Sequence, residues 1–555
     1  MAINEGDDAL PDALDEALGE AFGEALREVV DPDLPAGTYV LEPDVVAPLL
    51  ARVVTTFGAG EHRAVMPFTG APLVSLPLSS PDDVAAAAAR ARRAQAGWAA
   101  TPVPVRAEVL MAFAGAVLDR QSEVLDMVQL EGGKARAHAF EEVAYASQLA
   151  RHFAVAGPGY LASRRVRGMI PVLTGATVHL HPVGVVGVIA PWNYPLVMAV
   201  AEALPSLLAG NAVVFKPDPQ TTLTALWVAE LLEACGLPTD LFLVVAGDAE
   251  AGAALIDAVD HVAFTGSTEV GRLVAEAAGR RLIGATLELG GKNAMYVAAD
   301  ADVDAAVAGA LRACFANAGQ LCVGIERLLV HEAVADEFLD KLVAGTRALR
   351  LGAGLDYTAD VGSLVSATQL ARVIRHVEDA LSRGARALAG AVHRPDVGPY
   401  FYAPTVLTHV PDDALCAREE TFGPVVSVRT VASDDEAVQV INDSAYGLNA
   451  SVWSRDVRRA QQVALRLRAG TVNVNDGFTA AIGSVAAPFG GFGDSGLGRR
   501  HGREIIEAVS DHQTVATQRG ASLGLSIDKL YELGGDKAAA VLTAGMRALR
   551  ALRQR

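Results

Sequence analysis

Cysteine is rare in this 555-residue chain: there are four, at positions 235, 314, 322 and 416. So few thiols in so long a chain exclude a disulfide framework. Their spacing also lacks the paired pattern of a zinc site, so no metal is expected. A reducing cytoplasm is the simplest compartment. Lysine is scarcer than arginine, six residues in all, yet Lys134, Lys216 and Lys292 fall in or beside distinctive runs. Basic charge is also short. The formal net charge is -19, which disfavours a nucleic-acid partner through long-range repulsion. The opening Met-Ala-Ile-Asn-Glu-Gly-Asp-Asp has no basic stretch and no apolar stretch, so no secretory signal is expected. One segment, Val183 to Ala201, is uncharged and long enough to span a bilayer. Gly184, Gly187, Pro191, Asn193 and Pro195 interrupt it, which predicts a buried strand, a turn and a helix start instead of a membrane span.

What the chain does have is apolar bulk. Half of it is hydrophobic, 51%, and its length exceeds one ordinary domain. Leu14, Leu18, Phe22 and Leu26 predict an accessory helix over 11–30. A hairpin is predicted around Phe68 to Pro72, and a helix from Pro81 to Ala100 with an acidic start. A further helical run covers Arg106 to Glu131 and stops at Gly132-Gly133. Beyond Met169, strand and helix alternate: strands at 212–215, 242–245 and 261–264, helices at 221–235, 249–258 and 269–281. A second alternating block runs from Asn293 to Val474. The pattern predicts an α/β protein with two doubly wound parallel sheets, joined near Gly290-Gly291.

Chemistry-bearing residues punctuate these blocks. Cys322 ends the run Phe315-Ala-Asn-Ala-Gly-Gln-Leu-Cys322, and Gly319 and Gly324 flank it, letting backbone approach a substrate. Glu288 sits between Leu287 and Leu289; partial desolvation there would raise its pKa toward base work. Asn193, inside Pro191-Trp-Asn-Tyr-Pro195, can offer an amide to a developing oxyanion or cap the next helix. Lys216 follows a strand, where open α/β sheets bind ligands, although a lone lysine is more often a surface one. Gly266-Ser-Thr-Glu-Val-Gly271 opens a helix after a strand and suits pyrophosphate, but its spacing is not that of the usual dinucleotide fingerprint.

Taken together, these motifs resemble the NAD(P)-dependent aldehyde dehydrogenase family from about residue 60 to 515. The resemblance extends through Glu419-Glu-Thr-Phe-Gly-Pro424, Tyr446-Gly-Leu-Asn449 and Pro488-Phe-Gly-Gly-Phe492. Runs such as Gly324-Ile-Glu-Arg327 and Ser495 to Gly502 are similar to a bacterial succinate-semialdehyde dehydrogenase branch. The resemblance implies two Rossmann-like domains plus a small oligomerisation β-subdomain. The implied division is an N-terminal extension over 1–60, a dinucleotide-binding domain over 61–161 and 183–290, and a catalytic domain over 291–486. Oligomerisation strands fall in 162–182 and 487–515, with a helical extension over 516–555.

By the same resemblance, Cys322 attacks the aldehyde, Asn193 holds the oxyanion and Glu288 activates water against a thioester. Lys216 and Glu420 each hold a cofactor ribose. Gly266, Ser267 and Gly271 lie at the pyrophosphate, Phe422 near the nicotinamide, and Trp192 is a further cofactor contact. Pro219 stands where NAD-preferring relatives often carry a glutamate, which favours NADP, with NAD as the alternative. Tyr194 and Ser484 are the substrate candidates. The arginines that grip a distal carboxylate in some succinate-semialdehyde enzymes are replaced by Ala316 and Ala201. An uncharged aliphatic or aromatic aldehyde is therefore the rival substrate. An idle structural protein and transfer to coenzyme A are the more distant readings. Gly324 stands where a second cysteine would permit a redox switch, so none is expected. The family implies a homodimer or homotetramer.

Overall fold

The computed structural model describes residues 43–56, 60–168, 174–519, 527–532 and 534–551. The helix predicted over 11–30 lies outside them. The hairpin forms as antiparallel strands Glu61–Val65 and Pro72–Pro77. The helix Pro81–Ala100 begins with a reciprocal cap. Asp83 N–H donates to Ser80 Oγ at 3.2 Å, and Ser80 N–H donates to Asp83 Oδ2 at 2.9 Å.

The helical run ending at Gly132 is two helices, Val103–Asp119 and Gln121–Gly132, broken at Arg120. Arg120 leaves helical geometry at φ -103°, ψ 21°, and its guanidinium bonds Glu123 and Glu230 at 2.7 and 2.8 Å. The second helix stops at Gly133, whose left-handed φ of 72° suits glycine.

The chain divides into two compact units, one holding 1–158 and 182–509, the other 159–181 and 510–555. The first unit carries two sheets. The six-stranded sheet runs 496–497, 284–288, 261–265, 185–189, 212–216, 242–244, all parallel except the first. The seven-stranded sheet runs 386–389, 405–408, 425–431, 325–331, 293–297, 449–453, 471–474, again parallel except at its first strand. Parallel strands need crossover helices on both faces, so their side chains are buried on both sides. Val185, Val186, Val213 and Val214 are fully buried, as are Met295 and Tyr296.

The segment Val183 to Ala201 forms the strand Val185–Ile189, a turn at Pro191 to Tyr194 and the helix Pro195–Ala201. No single helix among the described residues is long and apolar enough to cross a membrane. The four residues Leu289 to Lys292 join the C-terminal end of one sheet's strand 284–288 to the start of the other sheet's strand 293–297.

The second unit has a three-stranded sheet in the order 510–518, 174–182, 164–167, and the helix Gly535–Ala551. The expected oligomerisation segment 487–515 is therefore divided. Residues 487–509 belong to the first unit, because Gly496 and Leu497 pair antiparallel with Glu288 and Leu287. Only the part from Ser510 onward joins the small sheet.

Candidate active site

Cys322 lies in the loop between the helix Val303–Phe315 and the strand Ile325–His331. A tight turn sets that loop. Asn317 and Ala318 hold left-handed φ of 50° and 53°, and Gly319 follows at 73°. A Cβ at Gly319 would stand 2.0 Å from the Gly423 carbonyl, so only glycine lets this turn meet the 419–424 loop. Two asparagines then fix the loop's carbonyls. Asn293 Nδ2 donates to Cys322 O at 2.7 Å and Gly324 O at 2.8 Å, and Asn449 Nδ2 donates to Val323 O at 2.9 Å.

Asn193 is held beside this loop from below. Its carbonyl accepts from Lys134 Nζ at 2.6 Å and from Asn317 Nδ2 at 2.9 Å. Lys134 is fully buried and pairs with the equally buried Glu142 at 2.5 Å. The other Glu142 oxygen accepts the Leu196 and Val197 amides at the start of the helix Pro195–Ala201. The Asn193 side chain bonds weakly, with Nδ2 at 3.2 Å from Gln320 O and Oδ1 buried without a partner among the described residues. A buried amide so lightly engaged is free to donate to an incoming oxygen.

Glu288 ends the strand 284–288, and neither of its oxygens has a hydrogen-bond partner among the described residues. Burial pushes its carboxyl up to about 8; the Arg500 charge opposes this and Glu202 adds to it. Burial likewise pushes the Cys322 thiol up to about 12, with Arg500 lowering it and Glu288 and Glu420 raising it. Both groups therefore sense the same cation. Arg500 is itself buried, paired with Glu202 at 2.5 Å and bonded to Thr265 Oγ1 at 2.8 Å. Gly490 closes over Glu288: a Cβ there would sit 2.9 Å from Glu288 Oε1.

Cys322 and Asn193 open on one cavity of 290 Å³. Its walls are mostly apolar, with Phe140, Tyr145, Tyr194, Leu321, Phe478 and Phe489 among them. Tyr194 has a buried hydroxyl without a partner among the described residues, and the Lys134 ammonium lies 3.9 Å from its ring centroid. Tyr145 hydrogen-bonds His501, which burial keeps neutral at a pKa of about 3.

A second group of residues is suited to a dinucleotide. Lys216 ends the strand 212–216, and its buried ammonium has one hydrogen bond among the described residues, 3.4 Å to the Pro217 carbonyl. An almost unpartnered buried cation at a strand's C-terminal end fits a ribose or phosphate. Ser267 caps the helix Thr268–Arg281, its Oγ accepting from Val270 N–H at 3.3 Å. Gly266 makes the turn into that helix, its N–H donating to Glu288 O at 3.1 Å. Trp192 meets Phe422 edge to face, with centroids 5.6 Å apart. Glu420 accepts the Gly291 amide at 2.8 Å, and burial raises its carboxyl to about 7. Its loop is braced by Glu326, which accepts the Thr421 and Phe422 amides and pairs with buried Lys292. Arg372 supports the same loop by donating to Glu420 O at 2.5 Å.

The aldehyde dehydrogenase family profile matches residues 56–515. A Mycolicibacterium smegmatis protein provisionally named succinate-semialdehyde dehydrogenase [NADP(+)] is 50% identical over 82% of this chain and 88% of its own. The chain belongs to the aldehyde dehydrogenase family. A Methylomonas protein named 4,4'-diapolycopene aldehyde oxidase is 38% identical over 80% of this chain and 83% of its own. Among solved structures, an NADP-dependent enzyme of E. coli superposes with a TM-score of 0.80 at 34% identity, covering 84% of this chain and 96% of that one.

Two of the expected site positions make packing or local contacts. Gly271 serves packing: a Cβ there would strike Leu289 at 2.4 Å, so the glycine lets its helix lie against the sheet. Ser484 does not line the Cys322 cavity. Its hydroxyl donates to Ala480 O at 2.7 Å, and it lines an outer depression that adjoins that cavity. Arg312 and Arg500 line the cavity although neither was singled out from the sequence. Arg312 lies one helical turn before Ala316, but Glu141 holds it at 2.8 Å. Lys216, too, has more acid around it than Pro219 alone implies, since the charges of Asp218 and Asp248 act on it. One Asp218 oxygen is occupied by the Gln220 amide at 3.0 Å.

Proposed function

We propose that this aldehyde dehydrogenase family member oxidises an aldehyde to its carboxylic acid with NADP+, and that succinate semialdehyde is a substrate. The observation that carries the reaction is one cavity presenting both the Cys322 thiol and the lightly engaged Asn193 amide, within the electrostatic reach of a raised carboxyl at Glu288. Cys322, having lost its thiol proton to water, bonds through Sγ as the thiolate to the aldehyde carbon, and the Asn193 amide donates to the oxygen that gains charge. NADP+, held by Lys216, Ser267, Glu420, Trp192 and Phe422, supplies the acceptor for the hydride that leaves this carbon. Glu288 takes a proton from water, the hydroxide attacks the thioester carbon, and Cys322 leaves as thiolate.

Support for succinate semialdehyde comes from the M. smegmatis relative's name. A second reading, an aldehyde with an uncharged apolar body, is supported by the walls of the cavity, whose two arginines are both committed to carboxylates. The Methylomonas relative's name points the same way. The preference for NADP+ over NAD+ is supported by Lys216 and by Pro219, which brings no carboxylate to that position. A free thiol nucleophile suits a reducing cytoplasm. The strand Ser510–Gln518 is an exposed sheet edge, which suits pairing with a second copy in a dimer or tetramer.

The test is turnover of succinate semialdehyde, hexanal and benzaldehyde with each cofactor, followed as reduced nicotinamide. Oxidation of succinate semialdehyde with a higher kcat/KM for NADP+ is expected. Failure of all three aldehydes would overturn the reading, and oxidation of hexanal without succinate semialdehyde would decide for the second.

A further inference from the structure

We propose that the passage to Cys322 continues outward into a basic depression at Arg151, and that this outer site takes the anionic far end of an aldehyde longer than succinate semialdehyde, an ω-oxo carboxylic acid. The inference rests on the aldehyde-oxidising function proposed above and names a class of substrate for it.

The outer depression measures 500 Å³ and shares Gln148 and Gly483 with the Cys322 cavity. The same two walls run along both. One is the helix Arg136–Leu161, which gives Glu141 and Tyr145 to the inner cavity and Arg151 and Val155 to the outer one. The other is the chain from Phe478 to Ala487, with Phe478 and Ile482 inside and Ser484 and Ala487 outside. Where the two spaces meet, Gln148 Nε2 donates to Gly483 O at 2.7 Å, an exposed hydrogen bond.

The two spaces differ in chemistry. Inside, both arginines are neutralised, Arg312 by Glu141 and Arg500 by Glu202. Outside, Arg151 is exposed and has no ion pair among the described residues, and no acidic residue lines the depression. In a molecule of net charge -19, that is a local positive site. A carboxylate has a bidentate partner there and none further in.

Length sets the class. From Tyr145 to Arg151 the helix rises about 9 Å. The ends of succinate semialdehyde are three C–C bonds apart, at about 1.5 Å each, which does not cover that distance. A longer chain crosses the apolar inner walls with its methylenes and places its carboxylate at Arg151, while the aldehyde carbon reaches Cys322.

The experiment compares wild type with Arg151→Ala on 10-oxodecanoate, decanal and succinate semialdehyde, with NADP+ saturating. The substitution is on the surface, and the decanal rate reports on folding. The expected result is a KM for 10-oxodecanoate raised about fivefold in Arg151→Ala, a smaller rise in Arg151→Lys, and no change for decanal or succinate semialdehyde. The wild-type advantage of 10-oxodecanoate over decanal should also shrink at high salt. An unchanged KM for 10-oxodecanoate, or equal losses on all three substrates, overturns the inference. A wild type that oxidises decanal but not 10-oxodecanoate overturns it while leaving the function intact, and one that oxidises no aldehyde overturns both.

Discussion

Arg500 sits where the chemistry of two residues meets. Its charge lowers the pKa of both Cys322 and Glu288 against a burial that raises them. The result for Glu288 is a carboxyl near 8, protonated at neutral pH in a good fraction of molecules. Because a base must be deprotonated, kcat should rise with pH through about 8 and level off above it. Glu288→Gln should lower kcat by about 10²–10⁴-fold and remove that limb, as a pH–rate profile will show. The motifs around Cys322, Glu288 and Asn193 were legible in sequence because each is a compact run with distinctive neighbours. Arg500, Arg312 and Tyr145 were not. They reach the cavity from three distant parts of the chain, and the identity of their partners, Glu202, Glu141 and His501, exists only in the folded state.

Elements explain how these residues are aimed. The turn bearing Asn193 has no regular structure of its own, and its position depends on Lys134 reaching across from the loop before the helix Arg136–Leu161. Lys134 and Glu142 are both fully buried, so removing one partner strands a charge. Glu142→Ala should destabilise the protein by about 3–5 kcal/mol, measured by denaturant unfolding. The double substitution Lys134→Met with Glu142→Leu should recover much of that stability, yet remain slow, because the Asn193 carbonyl loses its ammonium partner. Strand and helix alternation was readable from apolar runs bounded by glycine and proline, and the helix Ala249–Ala258 falls where its pattern put it. The break at Arg120 was not readable. Arg120 leaves helical geometry there while pairing with Glu123 in the next helix and with Glu230, far along the chain.

For the whole molecule, the connection through Leu289 to Lys292 does the most. It ties Glu288, at the end of a strand of one sheet, to Asn293, which holds the Cys322 carbonyl from the start of an inner strand of the other. The two-sheet plan was therefore visible in sequence as two alternating blocks meeting at Gly290-Gly291. The allotment of 487–509 was hidden, because two residues, Gly496 and Leu497, make the strand pairing that returns this segment to the first sheet.

The central claim is that Cys322 forms the thioester and Glu288 clears it. Glu288→Gln, mixed with hexanal and NADP+ and quenched, tests it by peptide mass spectrometry. The account predicts one equivalent of reduced cofactor per subunit and a hexanoyl adduct on the peptide carrying Cys322, with both lost in the additional variant Cys322→Ala. Sustained cofactor reduction in the Cys322→Ala protein, or an acyl group mapped to another residue, would contradict it.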